Sequence, residues 1–143
     1  MKIPEGFKFL TYKMCQLLKK NAKIYILKIW NAQFRYNITS WMKAFIDRLY
    51  CFYNFQNTRP RTWSSQLASQ NRKAVLVAIC EQENVKDMGF TLEAMRIPIE
   101  ALGYQVIGEQ AIFKAFDKGK VQEDSESLEK AFTLGTDLAK VLI

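Results

Sequence analysis

Apolar residues along the chain occur either in short unbroken runs or at helical spacing. Residues 74–80 form the clearest run, Ala-Val-Leu-Val-Ala-Ile-Cys, directly after Lys73. A run that is apolar on both faces is typical of a central parallel strand covered by helices on both sides. Residues 23–30, rich in isoleucine and aromatic residues, predict a second buried strand, and residues 105–112 predict a third.

Helical spacing of apolar residues occurs first in residues 8–20, which carry a rough apolar stripe. A stronger helix is predicted to begin at Thr39 or Ser40, because a hydroxyl there accepts hydrogen bonds from the exposed amides of the first turn. We interpret Asp47 and Arg48, which lie off its apolar face, as ion-pairing residues rather than catalytic ones. The apolar face itself is continuous through Met42, Phe45, Ile46, Leu49 and Phe52 or Tyr53.

Two more helices are predicted in the second half of the chain. One runs from about Lys86 to Leu102, where Pro98 should introduce a kink and Gly103 supplies the left-handed residue that ends it. Its core face contains Met88, Leu92, Met95, Ile99 and Leu102. The last helix is predicted to be capped by Ser125 and to face the core with Leu128, Ala131, Phe132, Gly135, Leu138, Ala139 and Leu142.

The predicted elements alternate as helix, strand, helix, strand, helix, strand and helix. Strict alternation favours an α/β fold with a parallel sheet and right-handed crossovers. Residues 54–72, which include Pro60 and several polar residues, are predicted to form a long loop, and long loops often act as lids or binding loops. The 143 residues are enough for one domain, which we expect to span residues 1–143.

The composition excludes several kinds of site. The chain has no histidine, which rules out Ser-His-Asp and Cys-His nucleophiles and the usual imidazole metal sites. Its three cysteines are far apart in sequence and indicate reduced, mostly buried thiols. In an enzyme of this composition, something other than histidine would carry the proton or electron chemistry, and a bound organic cofactor is the simplest candidate.

The net charge of +7 could attract nucleic acid or suit a phosphorylated cofactor. The basic residues do not form one block, however, so nucleic-acid binding is disfavoured. No apolar run reaches the ~18 residues that a membrane-spanning helix needs, and the start of the chain has no secretory signal. We therefore expect a cytoplasmic protein without a membrane partner.

Residues 34–48 carry a distinctive pattern, Phe-Arg-Tyr-Asn-Ile-Thr-Ser-Trp-Met-Lys-Ala-Phe-Ile-Asp-Arg. The pattern resembles the signature of the flavodoxin-like NAD(P)H-dependent FMN reductases and iron–sulfur flavoproteins. In that family a strand ends in an aromatic turn, followed by Asn, a hydroxyl residue and a helix. Residues 87–103 and the final helix are similar to the family as well. The resemblance implies a flavodoxin-like three-layer α/β/α fold with a parallel sheet, of which about three strands are recognisable here.

The resemblance further implies an FMN-dependent oxidoreductase that takes a hydride from NAD(P)H and passes electrons to a small-molecule acceptor. Aromatic and amide groups at the end of a strand would contact the flavin ring. The loop from Cys80 to Glu83, with Cys80 and Glu81 as its first residues, would line the neighbouring side. By resemblance, the residues at the strand end are Phe34, Arg35, Tyr36, Asn37, Ile38 and Thr39.

The family normally begins with a strand, a Gly/Ser/Thr-rich loop and a helix that together hold the FMN phosphate. The first thirty residues here contain one glycine, Gly6, and no serine, so we expect the fold to be truncated at this end. The alternative to a working reductase is a non-catalytic remnant that binds flavin weakly or not at all. The absent neighbour of strand 23–30 leaves an open edge, which predicts a homodimer or higher homo-oligomer.

Overall fold

A three-stranded parallel sheet forms the centre of the protein in the computed structural model, which describes residues 27–28, 37–117 and 119–141. In chain order, its strands are β1 (Leu27–Lys28), β4 (Lys73–Ile79) and β5 (Gln105–Ile112), and they lie side by side as β1-β4-β5. Strands β2 (Tyr53–Phe55) and β3 (Trp63–Ser65) form a separate antiparallel pair. Each of the three segments predicted as parallel strands therefore contributes to the sheet, the first through two described residues.

Four α-helices lie in the described part of the chain: α1 (Ser40–Arg48), α2 (Val85–Met88), α3 (Thr91–Ala101) and α4 (Ser125–Lys140). The helix predicted over residues 8–20 falls outside the described residues. Within the described ranges, no helix combines the length and the apolar character needed to cross a membrane.

The first face of the sheet packs against α1 and α3. Alternate residues of β4, beginning with Ala74 and Leu76, point to this face and join one buried cluster with Met42 of α1 and Met95 of α3. Leu76 and Met95 are both 0% exposed, which is the burial expected at the centre of a hydrophobic core.

The second face of the sheet packs against α4. It consists of Val75, Val77 and Ile79 of β4 and, in register with them, Gly108, Gln110 and Ile112 of β5. Gly108 lies directly under Leu134, and the Gln110 side-chain amide donates to the Ser127 carbonyl at 2.8 Å. Because Glu109, between these β5 residues, instead approaches Arg96 of α3 at 3.6 Å, α3 and α4 lie on opposite faces. The fold is thus α/β, with helices on both sides of a parallel sheet.

The helix predicted to begin at Thr39 or Ser40 is confirmed. Thr39 is the N-cap of α1, and its hydroxyl accepts from the Met42 backbone N–H at 3.2 Å. Asp47 forms an ion pair with Lys43 one turn earlier on the exposed side. A single 3-10 turn, Leu49–Phe52, continues the apolar face beyond the end of α1.

The segment predicted as a loop, residues 54–72, contains most of a β-hairpin, so that prediction was wrong. β2 and β3 pair with Asn54 opposite Ser64, and a short 3-10 helix, Ala68–Gln70, follows them. The Ser65 hydroxyl donates to the Leu102 carbonyl at 2.6 Å, which joins the hairpin to the end of α3. Strands of three residues give almost no alternating pattern in a sequence, which explains the error.

Arg72, the last residue of this segment, is buried rather than part of a basic surface. Its guanidinium donates to the Tyr104 hydroxyl at 2.9 Å and to the Gln70 side-chain oxygen at 2.6 Å. Because the Arg72 guanidinium is buried and hydrogen-bonded within the fold, it does not contribute to a basic surface patch for nucleic acid.

The single helix predicted from Lys86 to Leu102 is divided into α2 and α3. Gly89 separates them with a φ of 62°, and the Thr91 hydroxyl donates to the Met88 carbonyl at 2.8 Å where α3 begins. Helix α3 continues through Pro98. The predicted C-terminal role of Gly103 is confirmed, because its φ is 90°.

The last helix differs from its prediction in its N-cap residue and in the side that faces the sheet. Asp124, not Ser125, is the N-cap, and its carboxylate accepts from the Ser127 backbone N–H at 3.0 Å. The side chains that face the sheet include those of Leu134 and Leu138. Leu128 and Phe132, predicted to lie in the core, are exposed. The inward face is therefore rotated by about one residue, roughly 100°, from the predicted one.

Candidate functional site at the carboxyl edge of the sheet

Two loops follow the carboxyl ends of the parallel strands β4 and β5, and a third segment leads into α1. Residues 37–39 lead into α1, residues 80–84 follow β4, and residues 113–117 follow β5. In open α/β sheets, ligands bind in the crevice outside the carboxyl ends of the strands. These segments are therefore the candidate site in the described structure.

The side chains of residues 37–39 differ in their exposure and in their contacts. Asn37 is exposed, and its side-chain oxygen accepts from the Ile38 backbone N–H at 2.8 Å. Ile38 is partly buried and packs against the core cluster, while the Thr39 hydroxyl is occupied as the cap of α1. Of these three predicted contacts, Asn37 has the most exposed side chain. Phe34, Arg35 and Tyr36 lie outside the described residues.

The loops after β4 and β5 are joined by backbone hydrogen bonds. The Ala115 N–H donates to the Cys80 carbonyl at 3.1 Å, and the Lys114 N–H donates to the Gln82 carbonyl at 2.9 Å. These bonds continue the β4–β5 ladder past the ends of the strands. The structure therefore holds the predicted residue Glu81, which is exposed, on a fixed piece of main chain.

Cys80 lies at the base of this loop and is buried. Burial raises the pKa of its thiol, although a hydrogen bond from the Gln82 backbone acts in the opposite direction, and the negative charges of Asp87 and Glu81 raise the pKa further. The thiolate is the nucleophilic form of cysteine. Cys80 is therefore suited to packing beneath the site and not to covalent chemistry.

We expect Cys80 to react with iodoacetamide at pH 8 at least tenfold more slowly than Cys51, which is exposed. The reason is that both burial and the raised pKa reduce the accessible thiolate. Peptide mapping of the folded protein after timed labelling measures both rates in one sample. Equal labelling of the two cysteines would contradict the buried position of Cys80.

Two residues at this edge, Gln82 and Lys114, were not predicted individually as site residues from the sequence. The side-chain oxygen of Gln82 is buried and has no hydrogen-bond donor among the described residues. Lys114 has a φ of 58°, which is uncommon for a residue with a side chain. Neither feature has a sequence signal, because both depend on how the two loops pair in space.

A measurable cleft lies elsewhere, between α1 and α3. It has a volume of about 410 Å³ and is lined by Ile46, Asp47, Leu49, Tyr50, Tyr53, Pro98 and Leu102. These residues lie at the C-terminal ends of both helices, near the amino edge of the sheet. The cleft is mainly apolar, and its one carboxylate, Asp47, is paired with Lys43. It therefore offers an apolar binding surface whose lining includes the phenols of Tyr50 and Tyr53.

The chemistry available at the carboxyl edge is that of binding. Glu81 and Glu83 are exposed carboxylates, and Asn37 and Gln82 supply amides. Among residues 37–117 and 119–141, no group of three or more potential ligands could hold a metal ion. Among the described residues of this edge, no nucleophilic side chain is hydrogen-bonded to a base. No protein-family model, curated protein or solved structure matches the chain.

Proposed function

We propose that the protein is an FMN-dependent oxidoreductase of the flavodoxin-like type, using NAD(P)H as the electron donor. One observation carries the proposal. Residues 80–83, which the sequence resemblance assigns to the flavin site, follow β4 at the carboxyl edge of a parallel sheet, and residues 37–39 lead into α1, which packs on that sheet. That edge is where α/β folds bind cofactors.

The groups at this edge suit the polar side of a flavin ring, which has an N–H donor between two carbonyl acceptors. The side-chain oxygen of Gln82 is buried and has no donor among the described residues, and once turned outward it would accept from the flavin N–H. The Asn37 side-chain amide is exposed and offers a donor for a carbonyl. Bound FMN would supply the redox chemistry, accepting a hydride from the nicotinamide and reducing a small acceptor.

The described loops offer fewer groups suited to binding the phosphate of FMN. None of the three segments of the candidate site, residues 37–39, 80–84 and 113–117, contains a glycine. A phosphate cradle uses closely spaced backbone amides, which glycine-rich loops supply. The described residues therefore fit the ring of FMN better than its phosphate.

This difference leads to a specific prediction for flavin binding. If the phosphate is not gripped, riboflavin and FMN should bind with dissociation constants within about threefold of each other. A phosphate held by several charge-assisted hydrogen bonds, each worth about 1.5–3 kcal/mol, would instead favour FMN by several powers of ten. Titration followed by flavin fluorescence measures both constants.

Substituting Gln82 by alanine should weaken the binding of both flavins about tenfold, because one hydrogen bond to a buried acceptor is lost. Gln105→Ala is the matched control, since Gln105 is exposed at the opposite edge of the sheet, and should bind flavin as the unmodified protein does. A preparation that is colourless and gives no fluorescence change with either flavin would support the non-catalytic remnant instead.

A further inference from the structure

The β2–β3 hairpin presents an aromatic surface. Strand alternation places Tyr53, Phe55 and Trp63 on one face of the hairpin. Tyr50, in the 3-10 turn before β2, stacks on Phe55 with the ring centroids 5.0 Å apart, and Tyr53 contacts the rings of both Phe55 and Trp63. We call these four residues the aromatic strip. The strip continues from the cleft near the amino edge of the sheet, which Tyr50 and Tyr53 also line, so it is separate from the candidate flavin site.

Three rings of the strip are well exposed. Tyr50 is 62% exposed, Phe55 is 40% exposed and Trp63 is 50% exposed. The contacts among the four rings stabilise the hairpin, because a two-stranded hairpin alone is marginally stable. Those contacts nevertheless leave a large part of each outer ring in solvent. The strip therefore offers aromatic surface on which a flat partner group can stack.

The hairpin carries positive charge without negative charge. All 14 acidic residues of the chain lie outside residues 48–80, a segment that includes Arg59 and Arg61. Both arginines are exposed in the connection between β2 and β3, and the ion pairs among the described residues involve other side chains. The nearest carboxylate before this segment, that of Asp47, is paired with Lys43. The hairpin therefore favours an anionic partner.

Hydrogen bonds hold the connection that carries the two arginines. The Gln56 backbone N–H donates to the Thr62 carbonyl at 3.0 Å, and the Thr62 hydroxyl donates to the Gln56 side-chain oxygen at 2.9 Å. These bonds extend the β2–β3 pairing by one residue on each strand. The basic residues form no single block in the sequence, but the hairpin places two of them next to a row of aromatic rings.

A partner that matches this surface has both negative charge and flat rings. The carboxylates of an acidic peptide would complement the arginines but not the aromatic faces, which are themselves negative. The bases of a duplex are already stacked on one another, whereas those of a single strand can stack on aromatic side chains. We propose that the hairpin binds single-stranded nucleic acid, with bases on the aromatic strip and phosphates at Arg59 and Arg61.

Fluorescence anisotropy of a labelled oligothymidylate, about twelve nucleotides long to exceed a typical single-strand site, tests the proposal on the full-length chain. We expect a dissociation constant of roughly 1–100 µM at about 0.15 M salt. Trp63→Leu should weaken binding about tenfold, because it removes a stacking face and keeps an apolar side chain. Trp63→Phe, the matched control, keeps a ring and should bind within about threefold of the unmodified protein. Equal weakening in the two variants would show that stacking on residue 63 does not contribute.

Tryptophan fluorescence measures stacking directly. Binding of the oligothymidylate should quench the emission of the unmodified protein, because a base lies on the Trp63 ring. Trp63→Phe should bind the oligonucleotide and lose most of this quenching. Quenching that persists in Trp63→Phe would place the bound strand elsewhere on the protein and contradict the proposal.

The salt dependence of binding tests the phosphate contacts. In the double variant Arg59→Gln and Arg61→Gln, the slope of log Kobs against log salt concentration should become shallower by about 1.4, since each phosphate contact with a single strand contributes about 0.7. The double variant Lys86→Gln and Lys130→Gln removes the same charge from exposed helical positions and should keep the original slope. Equal slopes in the two double variants would show that the arginines of the hairpin do not contact phosphate.

Competition distinguishes the classes of partner. Unlabelled oligothymidylate should displace the labelled strand, and a duplex of the same length should compete less well, because its bases are not free to stack. Poly-glutamate should not compete at the same concentration of charge. Equal competition by poly-glutamate would assign the hairpin to an acidic protein partner. Failure of the folded protein, checked by far-UV circular dichroism, to bind the labelled strand would also overturn the proposal.

Discussion

Replacing Gly103 by alanine should destabilise the protein by about 3–5 kcal/mol. Gly103 has a φ of 90°, a conformation that strains any residue with a Cβ. An added Cβ would also lie within 3.0 Å of the Ala68 nitrogen and Cβ, and closer still to the Ala68 Cα. Because the obstacle is backbone, it cannot be relieved by a change of rotamer. Urea unfolding followed by tryptophan fluorescence measures the loss.

Gly119→Ala is the matched control for this substitution. Gly119 has almost the same φ, 91°, but the nearest atom to an added Cβ is the Gln122 side-chain oxygen at 4.0 Å. Only the backbone strain should then remain, at about 1–2 kcal/mol. Equal losses in the two variants would mean that the close approach of Ala68 contributes nothing to the effect at Gly103.

Leu76→Ala should cost about 3–5 kcal/mol of stability. Leu76 is 0% exposed, lies in the central strand β4 and belongs to the core cluster between the sheet and its first layer of helices. Truncating it removes buried apolar area and leaves a cavity between rigid neighbours on the sheet and the helices. The free energy of unfolding, measured by chemical denaturation, should fall by a large fraction of the 5–15 kcal/mol typical of a small domain.

Two further variants separate the causes of that loss. Leu76→Met keeps most of the volume and should cost less than about 1.5 kcal/mol. Ile97→Ala removes a similar side chain from a position on α3 that is 62% exposed and should change stability by no more than about 0.5 kcal/mol. A loss at Ile97 as large as that at Leu76 would show that the assigned core is wrong.

The sheet was predictable from the sequence because its central strand has a simple pattern. The run from Ala74 to Ile79 is apolar on both faces, which few structures other than a covered parallel strand require. The helix after Thr39 was equally predictable, because the N-cap residue and the spacing of the apolar residues both indicate a helix that begins there. These signals are local, and each can be interpreted without knowledge of its neighbours.

The wrong predictions arose where a local sequence pattern was compatible with two structures. In the last helix, Leu128 and Phe132 make an apolar stripe as convincing as that of Ala131, Leu134 and Leu138. Only the position of Gly108 beneath Leu134 decides which stripe faces the sheet. The cap at Asp124 rather than Ser125 was missed because both residue types are favoured as N-caps. The hairpin of Tyr53–Phe55 and Trp63–Ser65 was missed because its strands are too short to show a period.

From the sequence, the carboxyl edge of the sheet was the expected position of the candidate site, and that assignment stays a prediction. The loop after β4 follows the carboxyl end of its strand, as expected. The sequence could not show that Ile38 packs inward or that Thr39 is used as a helix cap. Nor could it show that Gln82 has a buried oxygen without a donor, since that depends on the pairing of two loops.

The hydrogen bonds between the loops after β4 and β5 also bear on how this edge could acquire new selectivity. The backbone N–H groups of Lys114 and Ala115 hold the main chain of residues 80–82. Substitution of Glu81, or of the adjacent Glu83, should therefore leave the loop backbone unchanged. Both are exposed, so such exchanges would carry little penalty for folding. The charge of this edge is thus open to gradual adjustment, by natural drift or by design, while the hydrogen-bonded main chain of residues 80–82 is kept.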